Sequence, residues 1–124
     1  IETSKTYHGV GFDIHRLVKN KKLYLGGMEI PFHSGLDGHS DGDVILHAIT
    51  DAILGATRRM DIGTYFPNKK KFKNIRSAKM LKPVIENLYK SNFSINNLRS
   101  AFALLSARTR LLSFSCMNFS NFNT

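Results

Sequence analysis

Small or apolar residues alternate with polar residues over the segment 6–16, which reads TYHGVGFDIHR. A period of two residues is typical of a β-strand, because successive side chains of a strand point to opposite faces. The pattern therefore predicts a strand that enters from solvent. Asp13 and His15 are two positions apart on this strand, so they share one face.

A glycine pair interrupts the apolar positions that follow. Gly26 and Gly27 lie in the middle of the segment 22–32, and adjacent glycines accept the positive φ angles of a tight turn, so a β-hairpin is predicted there. Pro31 marks a sheet edge or the end of the second strand. The segment 33–43 is rich in Gly and Asp and poor in apolar residues, which predicts a loop.

A helical period begins directly after this loop and predicts a first helix over residues 43–55. Ser40 or Asp41 can cap its N-terminus, and Ser40 together with Asp43 resembles a capping box. Gly55 is a plausible stop signal. The apolar residues at helical spacing are Val44, Ile45, Ala48, Ile49, Ala52 and Ile53.

Residues 77–91 carry a second helical pattern, in which Pro83 argues for a kink or a later start. The segment 58–74 between the two helices is irregular and basic, and another strand is predicted near Asn97. This order predicts an α/β (α+β) fold, a mixed β-sheet with helices packed on one face. The apolar positions of the second helix are Leu81, Val84, Ile85 and Leu88.

Composition narrows the class of protein. With 124 residues and 42% hydrophobic content, the chain is expected to form a single domain over residues 1–124. No run of about 18 apolar residues occurs, so no membrane partner is expected. Cys116 is the only cysteine, which excludes an internal disulfide and a cysteine-based zinc site. Any metal must be bound by His and carboxylate side chains, a ligand set that favours a catalytic site with an open position.

The net charge of +9 favours anionic partners, which include nucleic acid, anionic membrane and phosphorylated small molecules. All nine acidic residues lie at or before Glu86. The lysine-rich segment 69–73 is the strongest argument for nucleic acid, but a short lysine run in a surface loop is usually only solvated. Nucleic acid is therefore not a predicted partner.

Three residues form the strongest candidate for chemistry. Asp13 and His15 on one strand face, with His47 in the first helix, supply one carboxylate and two imidazoles, and three protein ligands with a vacancy are typical of catalytic zinc. Asp51 lies four residues after His47 on the same helix face, where its carboxylate can accept a hydrogen bond from the second imidazole N–H and fix the ligating tautomer. Both pairs also have an ordinary interpretation. Asp13 and His15 can be a solvated pair on a strand, and His47 and Asp51 can be a partly exposed pair within a helix.

The loop before the first helix favours a bound phosphate, since helix N-termini attract anions. His39 and Ser40 can donate hydrogen bonds to such a phosphate, although Ser40 is equally explained as a helix cap. Asp61 and Gly63 follow the helix in a segment that can accept polyol hydroxyls or form an ordinary Asx-turn.

Four blocks in this order, GVGFDIHRL (9–17), LGGMEIP (25–31), GLDGHSDGDVILHAITDAILGA (35–56) and DIGTYFP (61–67), resemble the 2-C-methyl-D-erythritol 2,4-cyclodiphosphate synthase family. The resemblance covers about residues 7–98. It implies zinc bound by Asp13, His15 and His47, with His39 stabilising the transition state. The substrate contacts that it implies are Asp13, Ile14, His15, His39, Ser40, Asp61, Ile62, Gly63, Phe66, Pro67 and Asn68.

The resemblance also implies the reaction and the partners. In this family a diphosphocytidyl methylerythritol 2-phosphate cyclises and releases CMP, in non-mevalonate (isoprenoid, terpenoid) precursor synthesis. Members are lyases and homotrimers with active sites between subunits. The implied location is a plastid-type organelle (apicoplast or chloroplast), with the bacterial cytoplasm as the alternative.

The carboxyl-terminal segment departs from the family. The family uses a glutamate for a second divalent ion, Mg²⁺ or Mn²⁺, and no acidic residue follows Glu86. Residues 99–124 are therefore interpreted as an atypical tail, the product of a truncation, a wrong exon or a frameshift. We expect a chain that binds zinc and phosphate, with weak or no turnover.

Overall fold

A computed structural model describes residues 5–38, 40–58, 75–104 and 110–121. In chain order, the elements of these residues are the strands β1 (Lys5–Lys19), β2 (Leu23–Leu25), β3 (Met28–Ile30) and β4 (Ser34–Leu36), the helices α1 (Val44–Ala56) and α2 (Ser77–Lys90), and the strands β5 (Phe93–Leu104) and β6 (Arg110–Asn121). This is the predicted α+β combination, with the hairpin β2–β3 at the glycine pair.

The main sheet has the strand order β4-β1-β6-β5. The long strands β1 and β6 pair from Lys5 opposite Asn121 to Arg16 opposite Arg110. All strand pairs in the described residues are antiparallel, which differs from the predicted mixed sheet. A parallel pair would need a crossover connection that returns the chain to the same end of the sheet.

Residues of the segment interpreted as an atypical tail belong to this sheet. β6 lies between β1 and β5, and its alternate residues point toward the helices. Met117 and Phe119 on this face are buried in the main hydrophobic cluster beside Val84 and Leu88 of α2. The core of the described domain is therefore completed by side chains beyond residue 98.

Helix α1 lies directly on β1. A Cβ atom added to Gly9 would lie 2.0 Å from the carbonyl oxygen of Ala52, and one added to Gly11 would lie 1.6 Å from that of Ala48. Only hydrogen fits at these two strand positions, because the helix backbone occupies the space. The same strand face that carries these glycines continues to Asp13 and His15, so the helix and the candidate ligands lie on one side.

Several element boundaries differ from the prediction. The predicted loop 33–43 contains β4, which pairs with β1 at Leu17 and Leu36; three residues are too short for a periodic signal. Gly55 lies inside α1, which ends at Ala56 with Thr57 as its cap, since Arg58 adopts the left-handed conformation (φ 57°) after the helix.

Helix α2 begins at Ser77 and contains Pro83 within its length. The predicted later start is wrong. Met80, Val84 and Leu88 are buried on one face of this helix, and this packing outweighs the hydrogen bond that proline cannot donate. Neither helix is long and apolar enough to cross a bilayer.

Candidate metal centre

The three predicted ligands meet at the contact between β1 and α1. The Oδ2 atom of Asp13 lies 2.8 Å from Nε2 of His15 and 3.1 Å from Nδ1 of His47. The two imidazole nitrogens are 3.3 Å apart. His15 and His47 are 32 positions apart in the chain, so the packing of the helix on the strand brings them together.

These atoms fit a metal ion. One carboxylate oxygen and two imidazole nitrogens lie within 4.8 Å of one another. A tetrahedral zinc ion with bonds of about 2.0–2.1 Å would hold its ligand atoms roughly 3.3 Å apart. The separation between the imidazoles already has this value, and all three side chains are only partly buried. The cluster can therefore hold a metal ion and leave a position open.

The electrostatics of the cluster favour a cation. Burial by itself would raise the pKa of Asp13, but hydrogen bonds to His15 and His47, together with their charges, outweigh it and lower the pKa to about 2. Burial would lower the pKa of His15, but the hydrogen bond and charge of Asp13 outweigh burial and raise it. The carboxylate is ionised at neutral pH, and a metal ion that binds Nε2 of His15 takes the place of the imidazole proton that this carboxylate stabilises.

The second nitrogen of His47 contacts hydroxyl groups. Its Nε2 atom lies 3.0 Å from Oγ of Ser40 and 2.9 Å from Oγ of Ser77. Ser77, the first residue of α2, also contacts the carboxylate of Asp41 through its hydroxyl. The sequence indicated neither Ser77 nor Asp41 as a site residue, because contacts between residues 36 positions apart leave no spacing signal. The hydrogen bond from His47 to Asp51 stays a prediction.

A buried aspartate anchors the loop before α1. Asp43 is the N-cap, and its side chain accepts a hydrogen bond from the backbone N–H of Leu46 at 3.1 Å. It also accepts from the N–H groups of Gly26 and Gly27, at 3.0 and 2.7 Å. The predicted cap, Ser40 or Asp41, is therefore wrong. The carboxylate of Asp43 thus accepts hydrogen bonds from both the helix terminus and the hairpin turn. These bonds hold the start of α1, which carries His47, against the hairpin.

The remaining predicted residues divide into two groups. Ile14 points away from the cluster, because it alternates with Asp13 and His15 on β1, so only its backbone can contact a ligand there. The other group lies outside the described residues: His39, Asp61, Ile62, Gly63, Phe66, Pro67 and Asn68.

Similar sequences match about three quarters of the chain. The bifunctional enzyme IspD/IspF of Pelagibacter ubique is 60% identical over 91 residues, which are 73% of this chain and 24% of that protein. The 2-C-methyl-D-erythritol 2,4-cyclodiphosphate synthase of Clostridium botulinum is 53% identical over 93 residues, 74% of this chain and 59% of that protein. The chain thus spans between about a quarter and three fifths of the length of these curated relatives.

Solved structures share the fold. The bifunctional IspDF of Campylobacter jejuni superposes with a TM-score of 0.89 and 26% identity, over 98% of this chain and 44% of that one. IspF of Plasmodium falciparum, solved as a CDP complex, gives a TM-score of 0.78 and 25% identity, over 95% of this chain and 97% of that one. The YgbB family model matches residues 7–114, a range that contains the whole metal cluster and extends into β6, and the chain therefore belongs to the YgbB family.

Proposed function

We propose that this chain carries the zinc site of a 2-C-methyl-D-erythritol 2,4-cyclodiphosphate synthase. The reaction is the cyclisation of 4-diphosphocytidyl-2-C-methyl-D-erythritol 2-phosphate to the 2,4-cyclodiphosphate, with release of CMP. The observation that supports it best is the convergence of Asp13, His15 and His47 in a chain of the YgbB family. The CDP complex of the Plasmodium relative supports a cytidine nucleotide as part of the substrate.

The chemistry of the cluster suits a diphosphate. Zinc bound by Asp13, His15 and His47 supplies Lewis acidity and a template for phosphate oxygens. Because His47 lies in the first turn of α1, the positive end of the helix dipole lies beside the same place and favours negative charge. The ionised carboxylate of Asp13 leaves the protein ligands with a single negative charge, so the zinc site keeps a net positive charge toward an anionic substrate.

The proposal includes the further roles that the family resemblance implies, most of them for residues outside the described ranges. His39 stabilises the transition state, and Ser40 contacts a substrate phosphate. Asp61, Ile62 and Gly63 line the pocket for the methylerythritol part. Phe66, Pro67 and Asn68 are further contacts to the substrate. Cyclisation needs two phosphates held in line and their charge neutralised, which positioning and electrostatics can provide without a covalent intermediate.

The direct test measures product formation by the zinc-loaded chain. Turnover would release CMP in a one-to-one ratio with the cyclodiphosphate, and chromatography and ³¹P NMR measure the two products. The variant Asp13→Asn removes the charged ligand and should lower the rate by about 100-fold or more, as loss of a transition-state contact does. Equal rates for the variant and the wild type would contradict the proposed site.

A second candidate function is zinc and phosphate binding without turnover. The absence of any acidic residue after Glu86 favours it, because the family's second divalent ion, Mg²⁺ or Mn²⁺, then has no glutamate ligand in this chain. The same experiment separates the two candidates. One equivalent of bound zinc without CMP release identifies the binding protein, whereas steady CMP release identifies the enzyme.

The assembly that we propose is a homotrimer, supported by an apolar sheet face. On β1 and β6 the residues that alternate with the helix-facing set are exposed: Val10 by 57%, Phe12 by 53% and Phe114 by 45%. Phe12 and Phe114 are cross-strand neighbours, and Cys116 lies opposite Val10. A contiguous apolar patch of this kind marks an interaction surface, and further copies of the same chain are the proposed occupants.

The variant Phe12→Asp tests this assembly. A carboxylate in the middle of the apolar face would lose its water of hydration on association, so the variant should sediment as a monomer under conditions in which the wild type is a trimer. Thr6→Asp, at the exposed end of the same strand face, is the matched control and should keep the wild-type state. A monomeric wild type would contradict the proposed trimer.

The compartment stays a prediction. The similar proteins named above come from bacteria and from Plasmodium falciparum, so they leave open the plastid-type organelle and the bacterial cytoplasm that the resemblance implied.

A further inference from the structure

The hydroxyl of Ser77 lies between the carboxylate of Asp41 and the imidazole of His47. Its oxygen contacts Oδ1 of Asp41 on one side and lies 2.9 Å from Nε2 of His47 on the other. Ser77 and Asp41 are both buried. Oγ of Ser40 is a more distant third contact, at 3.4 Å. A serine hydroxyl carries one proton, so it can donate to only one of these neighbours.

The surroundings of Asp41 decide where this proton goes. The carboxylate accepts hydrogen bonds from the backbone N–H groups of Ser77 and Asp43, each at 3.0 Å, and from Nε of Arg76 at 3.2 Å. These donors stabilise the ionised carboxylate, which can only accept. The Ser77 hydroxyl therefore donates to Asp41, and its oxygen is left as an acceptor for His47.

An acceptor at Nε2 determines the tautomer of the neutral imidazole. His47 donates to the Ser77 oxygen only when its proton is on Nε2, and Nδ1 then has a free lone pair. The alternative tautomer would donate from Nδ1 to Oδ2 of Asp13 at 3.1 Å, but it would leave the lone pair of Nε2 facing the Ser77 oxygen. Ser40 also touches Nε2 of His47, but its hydroxyl can donate or accept and does not choose between the tautomers.

We propose that Ser77, oriented by Asp41, is a positioning residue that holds His47 as the Nε2–H tautomer, with the Nδ1 lone pair directed at the metal position between Asp13 and His15. The inference rests on the proposed zinc site. It assigns a role to the first residue of α2, which makes no contact with the metal position itself. Hydrogen-bond partners of metal-bound histidines act in this way in other proteins.

The first readout is zinc affinity, measured by competition with a chromogenic chelator. Ser77→Ala should bind zinc about 10- to 100-fold more weakly than the wild type, and Ser77→Thr, which keeps the hydroxyl, should restore the affinity. Ser115→Ala is the matched control, because Ser115 is also fully buried and has a hydroxyl partner, Ser100, at 2.9 Å. This control should bind zinc as the wild type does.

The second readout is ¹⁵N NMR of the histidine side chains in the zinc-free protein, at a pH where the imidazoles are neutral. The wild type should show His47 protonated on Nε2. In Ser77→Ala the proton should move in part to Nδ1, where Asp13 lies 3.1 Å away as the stronger acceptor. Loss of general packing would not change the tautomer in this direction.

The outcomes separate the two proposals. Wild-type zinc affinity together with an unchanged His47 tautomer in Ser77→Ala would overturn the role of Ser77 and leave the zinc site standing. An equal loss of affinity in Ser77→Ala and Ser115→Ala would overturn it too. If the wild type bound no zinc, the proposed function would fail, while the tautomer measurement would still test the hydrogen bonds of Ser77.

Discussion

A chain carrying His47→Ala is expected to lose stoichiometric zinc. The variant removes one of two imidazole ligands and leaves Asp13 and His15 as a pair on one strand, and two ligands do not complete a catalytic zinc site. We expect the dissociation constant for zinc to rise by about 100-fold or more. This is a larger effect than the loss of a hydrogen-bond partner of a metal-bound histidine. Metal analysis after dialysis, with a chelator titration, measures the change.

His8→Ala is the matched control for this loss. His8 lies on the same strand as Asp13 but on the exposed, outward face, so its removal takes away one imidazole without touching the cluster. The control should keep one zinc per chain. Equal zinc content in His47→Ala and the wild type would show that the ion binds elsewhere, and the proposed function would lose its main support.

Gly11→Ala is expected to be the most destabilising single-methyl substitution in the described sheet. The added Cβ would lie 1.6 Å from the carbonyl oxygen of Ala48 and 2.6 Å from its carbonyl carbon. Both atoms belong to helix backbone, so α1 would have to move away from β1. We expect a loss of about 3 kcal/mol or more in the free energy of unfolding, at or above the upper range for overpacking, measured by urea denaturation.

Gly55→Ala is the control in which the same methyl group meets no atom. Apart from its chain neighbours and the backbone of its own helix, no heavy atom of the described residues lies within 4 Å of a Cβ added to Gly55. This glycine is inside α1, where alanine is favoured by about 0.5–1 kcal/mol. The control should therefore unfold at a higher urea concentration than the wild type. A Gly11→Ala chain as stable as the wild type would contradict the close packing of helix on strand.

The same contact connects stability to the site. Gly11 is two residues before Asp13, and Ala48 follows His47 directly. Any folded Gly11→Ala chain would therefore hold α1 farther from β1 and lengthen the 3.1 Å separation between Asp13 and His47. Zinc affinity should fall with stability in this variant, although no metal ligand is changed.

Local patterns predicted most of the elements. The alternation around Asp13 and His15 predicted a strand that the structure extends to Lys5–Lys19, and Gly26 and Gly27, at φ 64° and 85°, turn the predicted hairpin. The helical period predicted both helices to within about one residue. These features depend on interactions within one turn or one strand. Because the interacting residues are close in the sequence, a local pattern can predict them.

The helix cap and strands that were predicted wrongly or missed depend on contacts with residues that are distant in the sequence. Asp43, rather than Ser40 or Asp41, became the cap of α1 because the hairpin glycines supply two further donors to the same carboxylate. β4 exists only because the edge of β1 is available to pair with it. Residues 110–121, in which no strand was predicted, form a central strand because β1 and β5 both present an edge to them.

The candidate site divides in the same way. The sequence by itself determined that Asp13 and His15 share a strand face and that the chain has no cysteine pair to bind a metal. Only the tertiary structure decided that His47 meets them and that Ser77 and Asp41 complete its environment. The physical reason is that a period of two or of 3.6 residues specifies which face a side chain occupies, whereas the distance between two faces is set by packing, here by the glycines that let α1 rest on β1.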